Sequence, residues 1–218
     1  MKTLKLGCTQ LDDLFGGGIE SGILTKIYGE AGTGKTNICL QASRECVVAG
    51  GKVAYVDTEG VSVERLHQIC ANTNTYQKTL ENILFFTPAS FTVQEKLINN
   101  ALTKNNIGLL VVDTINFLYR IDLENNREGA IRSFIRQMTN LQIAAREKDL
   151  PIILTEQVYT DKNGAIKPFT TKETGPMVKT IIQLDKTGVG KWQATLIKHR
   201  SQPKGKKVFF RITKSGLE

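Results

Sequence analysis

The amino-acid sequence predicts an α/β fold in which a mostly parallel sheet is flanked by helices and extended at one edge by antiparallel C-terminal strands. Three observations carry that prediction. A Gly-rich string at 29–36 lies between an apolar run at 23–28 and a stretch at 37–49 whose apolar residues recur at helical spacing. Strand-like and helix-like segments then alternate as far as residue 155, as they do where right-handed crossovers build a parallel sheet. Beyond residue 180, short strand-like segments follow one another across Gly- and Pro-bearing turns, which reads as hairpins on a sheet edge.

The elements follow in order. Leu11, Leu14 and Phe15 at helical spacing, then Gly16-Gly17-Gly18, predict a short helix stopped by glycine. The apolar run at 23–28 is the first core strand, and the helix at 37–49 ends at Gly50-Gly51. Val53 to Val56 is a buried strand that delivers Asp57-Thr58-Glu59-Gly60 at its end, where α/β folds bind ligands. Ser62 is placed to cap a helix reaching about Asn72; a strand at 83–86 and a helix at 92–104 come next. The apolar run 109–113 ends in Asp113, and the polar stretch 119–128 reads as a loop. A long helix at 130–147 leads to a strand at 152–155 with Gln157 just past it. Residues 158–175 are polar and broken by Gly164 and Pro168, and loops of that length are usually functional or disordered. Strands at 180–184, 192–198 and 208–212, joined by turns at 187–190 and 203–205, complete the chain.

The chemistry centres on Gly29-Glu30-Ala31-Gly32-Thr33-Gly34-Lys35-Thr36, which fits the phosphate-loop pattern. Its glycines let backbone N–H groups converge on an anion at the positive end of a helix. Lys35 is placed to reach the outer phosphates of ATP, and the Thr36 hydroxyl to ligate Mg²⁺. Asp113, ending an apolar strand downstream, has the position expected of the group that holds Mg²⁺-bound water. Glu59 stands at a strand end where it can orient or deprotonate an attacking water.

Composition bounds the possibilities. With 218 residues, 40% of them hydrophobic, the chain supports one sizeable core, so residues 1–218 are expected to form a single domain. No apolar run approaches the length of a membrane helix, and a soluble, cytoplasmic protein is expected. Cys8, Cys39, Cys46 and Cys70 show no C-x-x-C pairing, and the sequence has two histidines. Zinc is not expected, and Cys39 and Cys46, seven apart on a helix, read as core. The net charge is +8, and between Lys179 and Lys214 ten lysines and arginines stand against the single acid Asp185. Such a stretch is either a solvated basic face or a surface for a polyanion such as nucleic acid.

The order of these parts resembles the RecA superfamily of recombinase ATPases, in its archaeal RadA and eukaryotic branch. The strings that carry the likeness are Leu11-Asp12 with Gly16-Gly17-Gly18-Ile19 and Gly22; Asp57-Thr58-Glu59-Gly60 with Glu64-Arg65-Leu66; Leu118-Tyr119-Arg120 after Asp113; and Gln157-Val158. With 22 residues before the first core strand, the chain is expected to be without the helical N-terminal DNA-binding domain of RadA-type proteins, and so resembles the core-only paralogues of RadB type. Glu156 stands where RadA-type proteins usually carry Asn. The resemblance implies a RecA-like core that binds DNA and ATP with Mg²⁺, hydrolyses ATP weakly and does not itself exchange strands. It implies partners in recombination and repair: DNA, a RadA-type recombinase, a structure-specific nuclease, or further copies of the chain.

Residue by residue, the resemblance makes Glu59 the catalytic acid, Gln157 the sensor of the γ-phosphate and Arg65 the residue that packs on adenine. A guanidinium stacks well on a planar base. Arg120 and Arg127 fall in the first DNA-contacting loop, and Lys162, Lys167 and Lys172 in the second, with backbone contact expected to dominate because aromatic residues are scarce there. If the strand runs through residue 157, Glu156 faces away from Gln157, and an acid there is a possible repellent of DNA phosphate. Lys198-His199-Arg200 looks like the Lys-x-Arg pair that KaiC-like members insert into a neighbour's nucleotide site. On a strand, Lys198 and Arg200 would share a side, and edge protection explains the two cations as well. A KaiC-like oligomerising regulatory ATPase is therefore the alternative reading. A small-molecule phosphotransferase shares the loop, but the sequence offers no Arg-rich lid for it.

Overall fold

The computed structural model describes residues 2–160, 166–168 and 174–218. In chain order the elements are β1 (Thr3–Leu4), α1 (Thr9–Leu14), β2 (Ile19–Glu20), β3 (Leu24–Gly29), α2 (Lys35–Val48), β4 (Lys52–Asp57), α3 (Val63–Cys70), α4 (Tyr76–Glu81), β5 (Ile83–Phe86) and α5 (Phe91–Thr103). Then come β6 (Ile107–Asp113), α6 (Phe117–Asn125), α7 (Arg127–Glu147), β7 (Ile152–Glu156), β8 (Val158–Thr160), β9 (Ile166–Pro168), β10 (Val178–Gly188), β11 (Lys191–Lys198), β12 (Lys207–Phe210), β13 (Ile212–Thr213) and β14 (Gly216–Leu217).

Eight strands form the main sheet in the order β5, β4, β6, β7, β3, β10, β11, β12. The pairs from β5 to β10 are parallel, and β11 and β12 add antiparallel. The predicted hairpin edge is therefore present, with β10 itself parallel to β3. Because β3 is wholly buried between β7 and β10, the glycine loop at its end emerges from the middle of the sheet. An added Cβ on Gly29 would stand 2.4 Å from the Leu184 carbonyl oxygen, so only glycine lets β10 approach so closely.

Apolar residues on the two sheet faces build two core layers. One packs Ile38, Cys39, Ala42 and Cys46 of α2, with Leu11 and Leu14 of α1, against β3, β4, β10 and β11. The other packs Ile98 of α5 and Phe134, Met138 and Leu141 of α7 against β4, β6 and β7. All four cysteines are free and buried, and burial pushes the Cys39 thiol well above its ordinary pKa, as core packing requires. The predicted Ser62 cap forms, accepting from the Arg65 N–H at 3.1 Å.

The segment read as a polar loop at 119–128 is instead mostly the helix α6. Leu118 and Tyr119 are buried, and the Tyr119 ring stacks on Phe134 with centroids 4.3 Å apart. Their packing outweighs the polar residues around them, a tertiary contact that local pattern cannot show. The final predicted strand also divides, into β12 and the small β13–β14 hairpin, and α4 falls where the sequence predicted no element.

Candidate active site

The strand ends bring the predicted residues together. Gly29, Glu30, Ala31, Lys35, Glu59, Gln157 and Val158 line one cleft of about 490 Å³. Gly34 precedes α2 with φ +98°, a left-handed conformation that favours glycine, and no side chain caps the helix start. An uncapped N-terminus with its dipole presents donors to an anion. Lys35 is buried, and its ammonium donates to the carbonyls of Gly29 (2.8 Å) and Glu30 (3.0 Å). Burial lowers its pKa, while Glu59 and Asp113 act in the other direction. A phosphate would offer this cation a full negative charge in place of two carbonyl dipoles.

Asp113 lies buried at the end of β6, accepting from the Tyr55 hydroxyl on Oδ2 (2.9 Å) and from the Thr155 hydroxyl on Oδ1. Two of roughly four lone-pair positions are so used. The remaining ones suit a Mg²⁺-bound water, and hard oxygen donors from Asp113 and Thr36 fit that ion.

At the end of β4, Asp57 accepts from the backbone N–H groups of Glu59, Gly60 and Val61, which fixes the turn carrying Glu59. Thr58 and Thr114 exchange hydrogen bonds across the two strand ends. Glu59 Oε1 accepts from the Thr114 hydroxyl (2.9 Å) and from the Gln157 amide (2.9 Å). The Gln157 side-chain oxygen accepts in turn from Arg120 at 2.9 Å. Asn116 clamps the Gln157 main chain on both sides, accepting from its N–H and donating to its carbonyl, each at 3.0 Å. A polar chain thus runs from Glu59 through Gln157 to Arg120. Thr114 and Asn116 belong to this machinery and went unnoticed in the sequence, because their partners follow other strands, whereas the sequence shows Asp57 as a strand-end carboxylate and not as the group that fixes the Glu59 turn. The one local signal was their position at the ends of apolar runs.

Arg65 stands in the first turn of α3, and four hydrogen bonds already occupy most of its in-plane donors. They reach Asn37 (2.6 Å), Gln68 (3.0 Å) and the carbonyls of Thr213 (2.9 Å) and Lys214 (3.0 Å). Stacking would have to use its faces.

The predicted loop cations are placed differently from the expectation. Arg120 lies on α6 and Arg127 at the start of α7, and both line a hollow of about 560 Å³ with Phe117, Ile121, Leu123 and Glu124. They are helix residues, since Tyr119 draws this segment onto the core. Lys162 and Lys172 lie outside the described residues, and of Lys167 only the backbone, in β9, is described. Glu156 does not face DNA: it is buried and pairs with buried Lys26 of β3 at 3.2 Å. β11 ends at Lys198, so the strand expected to hold Lys198 and Arg200 on one side stops short. The Lys198 ammonium donates to the carbonyls of Val178 (2.7 Å) and Gly175 (3.3 Å), and Arg200 lies 3.5 Å from Glu20.

Comparison with known proteins matches a family described as Rad51 over residues 1–215. The "DNA repair and recombination protein RadB" of Methanococcoides burtonii is 41% identical, with both chains covered completely. The protein of the same description from Thermococcus kodakarensis is 38% identical over 99% of this chain and 98% of its own. A solved structure described as the RadB recombinase superposes with a TM-score of 0.87 at 37% identity, covering 99% of this chain and 98% of that one.

Proposed function

Because the chain belongs to the Rad51 family, we propose that it is an ATP-dependent DNA-binding accessory of homologous recombination and repair, with weak ATP hydrolysis and no strand exchange of its own. The hydrogen-bonded chain Glu59–Gln157–Arg120 carries the proposal. It joins the residue best placed to orient water to a cation lining a separate hollow. Thr36 and Asp113 would hold Mg²⁺, which would supply positive charge against the phosphates.

This chain's own residues do the rest. Lys35 exchanges the carbonyls of Gly29 and Glu30 for the outer phosphates. Glu59, steadied by Thr114, turns its second oxygen to the attacking water. Gln157, a neutral amide, moves its N–H from Glu59 to a phosphate oxygen without changing the charge of the site. When it moves, its bond to Arg120 must change too, and Arg120 with Arg127 can then answer a DNA phosphate. Weak hydrolysis fits an arrangement in which Gln157 must first release Glu59 before the carboxylate can address water. Lys162, Lys167 and Lys172 are proposed to extend the DNA contact, and Arg65 to stack on adenine. A trans role for Lys198 and Arg200 would require both to leave the intrachain groups they now face.

The test is ATPase rate and filter binding against single-stranded, duplex and branched DNA at low salt, with and without ATP. Salt-sensitive binding that responds to ATP is expected. No affinity under any of these conditions, with ATP turnover indifferent to DNA, overturns the DNA reading.

A further inference from the structure

The antiparallel extension reaches the phosphate loop through residues that none of the motifs includes. The Trp192 Nε1–H on β11 donates to the carbonyl of Gly32 at 3.1 Å. On β10, the Lys186 ammonium lies 2.9 Å from where a Cβ on Gly32 would stand. The Trp192 ring stacks beside Phe210, centroids 6.4 Å apart at 29°. Phe210 and Ile212 close on Gly34, where an added Cβ would meet Ile212 Cδ1 at 2.8 Å and Phe210 Cε2 at 3.7 Å. Gly32 and Gly34 are the loop's two left-handed residues, with φ +73° and +98°.

A peptide unit is planar, so a carbonyl held outward fixes the direction of the N–H on its other side. Pinning the Gly32 carbonyl to Trp192 therefore sets the Gly32–Thr33 plane, whose N–H closes the turn onto the Glu30 carbonyl at 3.3 Å. That turn feeds directly into Gly34 and the start of α2, the donors a phosphate would meet. Free glycines would otherwise sample many conformations, and ordering them on binding costs affinity.

We propose that the β10–β11 hairpin is an outer brace of the phosphate loop, with Trp192 a positioning residue for nucleotide binding through the Gly32 carbonyl. The proposal rests on the reading that residues 29–36 bind ATP, and it adds a residue that acts on the loop and not on the phosphates. Trp192 is the sole tryptophan in the chain, so its emission reports on the surroundings of this one indole.

The test uses the full chain and Trp192→Phe, which keeps a ring beside Phe210 and removes the N–H. Calorimetric titration with ADP and ATP is expected to give a dissociation constant raised roughly two- to tenfold, the range of one exposed hydrogen bond. Turnover at saturating ATP should be unchanged and the nucleotide-free melting temperature should fall by no more than about 2–4 °C, the loss of one exposed hydrogen bond, whereas a merely structural role would lower the melting temperature and leave the dissociation constant as it was. In the wild type, saturating ADP should shift the Trp192 emission. Equal affinities of wild type and variant overturn the brace, as does an emission spectrum unmoved by bound ADP, a readout that needs no variant to fold. If wild type itself binds neither nucleotide, the ATP reading falls and the brace with it, an outcome visible in the wild-type titration alone.

Discussion

Glu59 and Glu156 are acids at the ends of two strands that flank β6, and their surroundings give them opposite work. Glu59 is exposed at the cleft with one oxygen steadied by Thr114 and Gln157, whereas Glu156 is sealed against Lys26. Replacing Glu59 by Gln keeps the shape and removes the charge that attracts a proton. ATP binding should survive while turnover falls by roughly 10²- to 10⁴-fold, the usual share of a general base, as single-turnover assays would report. Lys35→Ala should instead abolish binding, because no other ammonium among the described residues lines the cleft. Removing one member of a buried ion pair costs about 3–5 kcal/mol. Glu156→Ala should show that loss in urea denaturation, and Lys26→Met with Glu156→Leu should recover most of it, since two apolar groups leave no charge in the core.

At the scale of elements, α5 and α7 are clasped by Glu95, which accepts from the Ser133 hydroxyl and from Arg136 Nε at 2.8 Å. The Arg136 hydrogen bond, aided by Ser133, holds the Glu95 carboxyl below its ordinary pKa of 4.5, against a partial desolvation that raises it. A depressed folded value means the contribution is present above 4.5 and vanishes as pH falls through the lowered pKa. Glu95→Gln should therefore melt below wild type at neutral pH, and the gap should close in acid, as thermal scans across pH 2–7 would show. Helices and strands of strong period were legible because hydropathy repeats are local, as in α2, α7, β4 and β6. The helix α6 was not, since Tyr119 joins it to Phe91 and Phe134, contacts made between separate helices.

For the whole molecule, the sheet order places β6 between β4 and β7, and so brings the ends of three strands to one cleft. The loop, Asp113, Glu59 and Gln157 could be found in sequence, because each follows an apolar run. The links between them could not, as Asn116 and Gln157 are 41 residues apart and meet only once the strands are ordered. If the chain through Gln157 couples ATP to DNA, Arg120→Ala should leave ATP affinity intact and abolish DNA stimulation of turnover. Arg127→Ala, removing an exposed cation, should reduce the slope of log affinity against log salt by about 0.7 on single-stranded DNA. The clamp of Asn116 on the Gln157 main chain has one more consequence. With its backbone pinned, Gln157 is a rotor on a fixed axle, able to turn its amide from Glu59 to a phosphate but unable to drag β7 along. Side-chain rotations of this kind take picoseconds to nanoseconds, so the relay itself keeps no time. On the proposed reading, the slow step that would set how long DNA is held would lie in phosphate release or in the larger surfaces that the rotor informs.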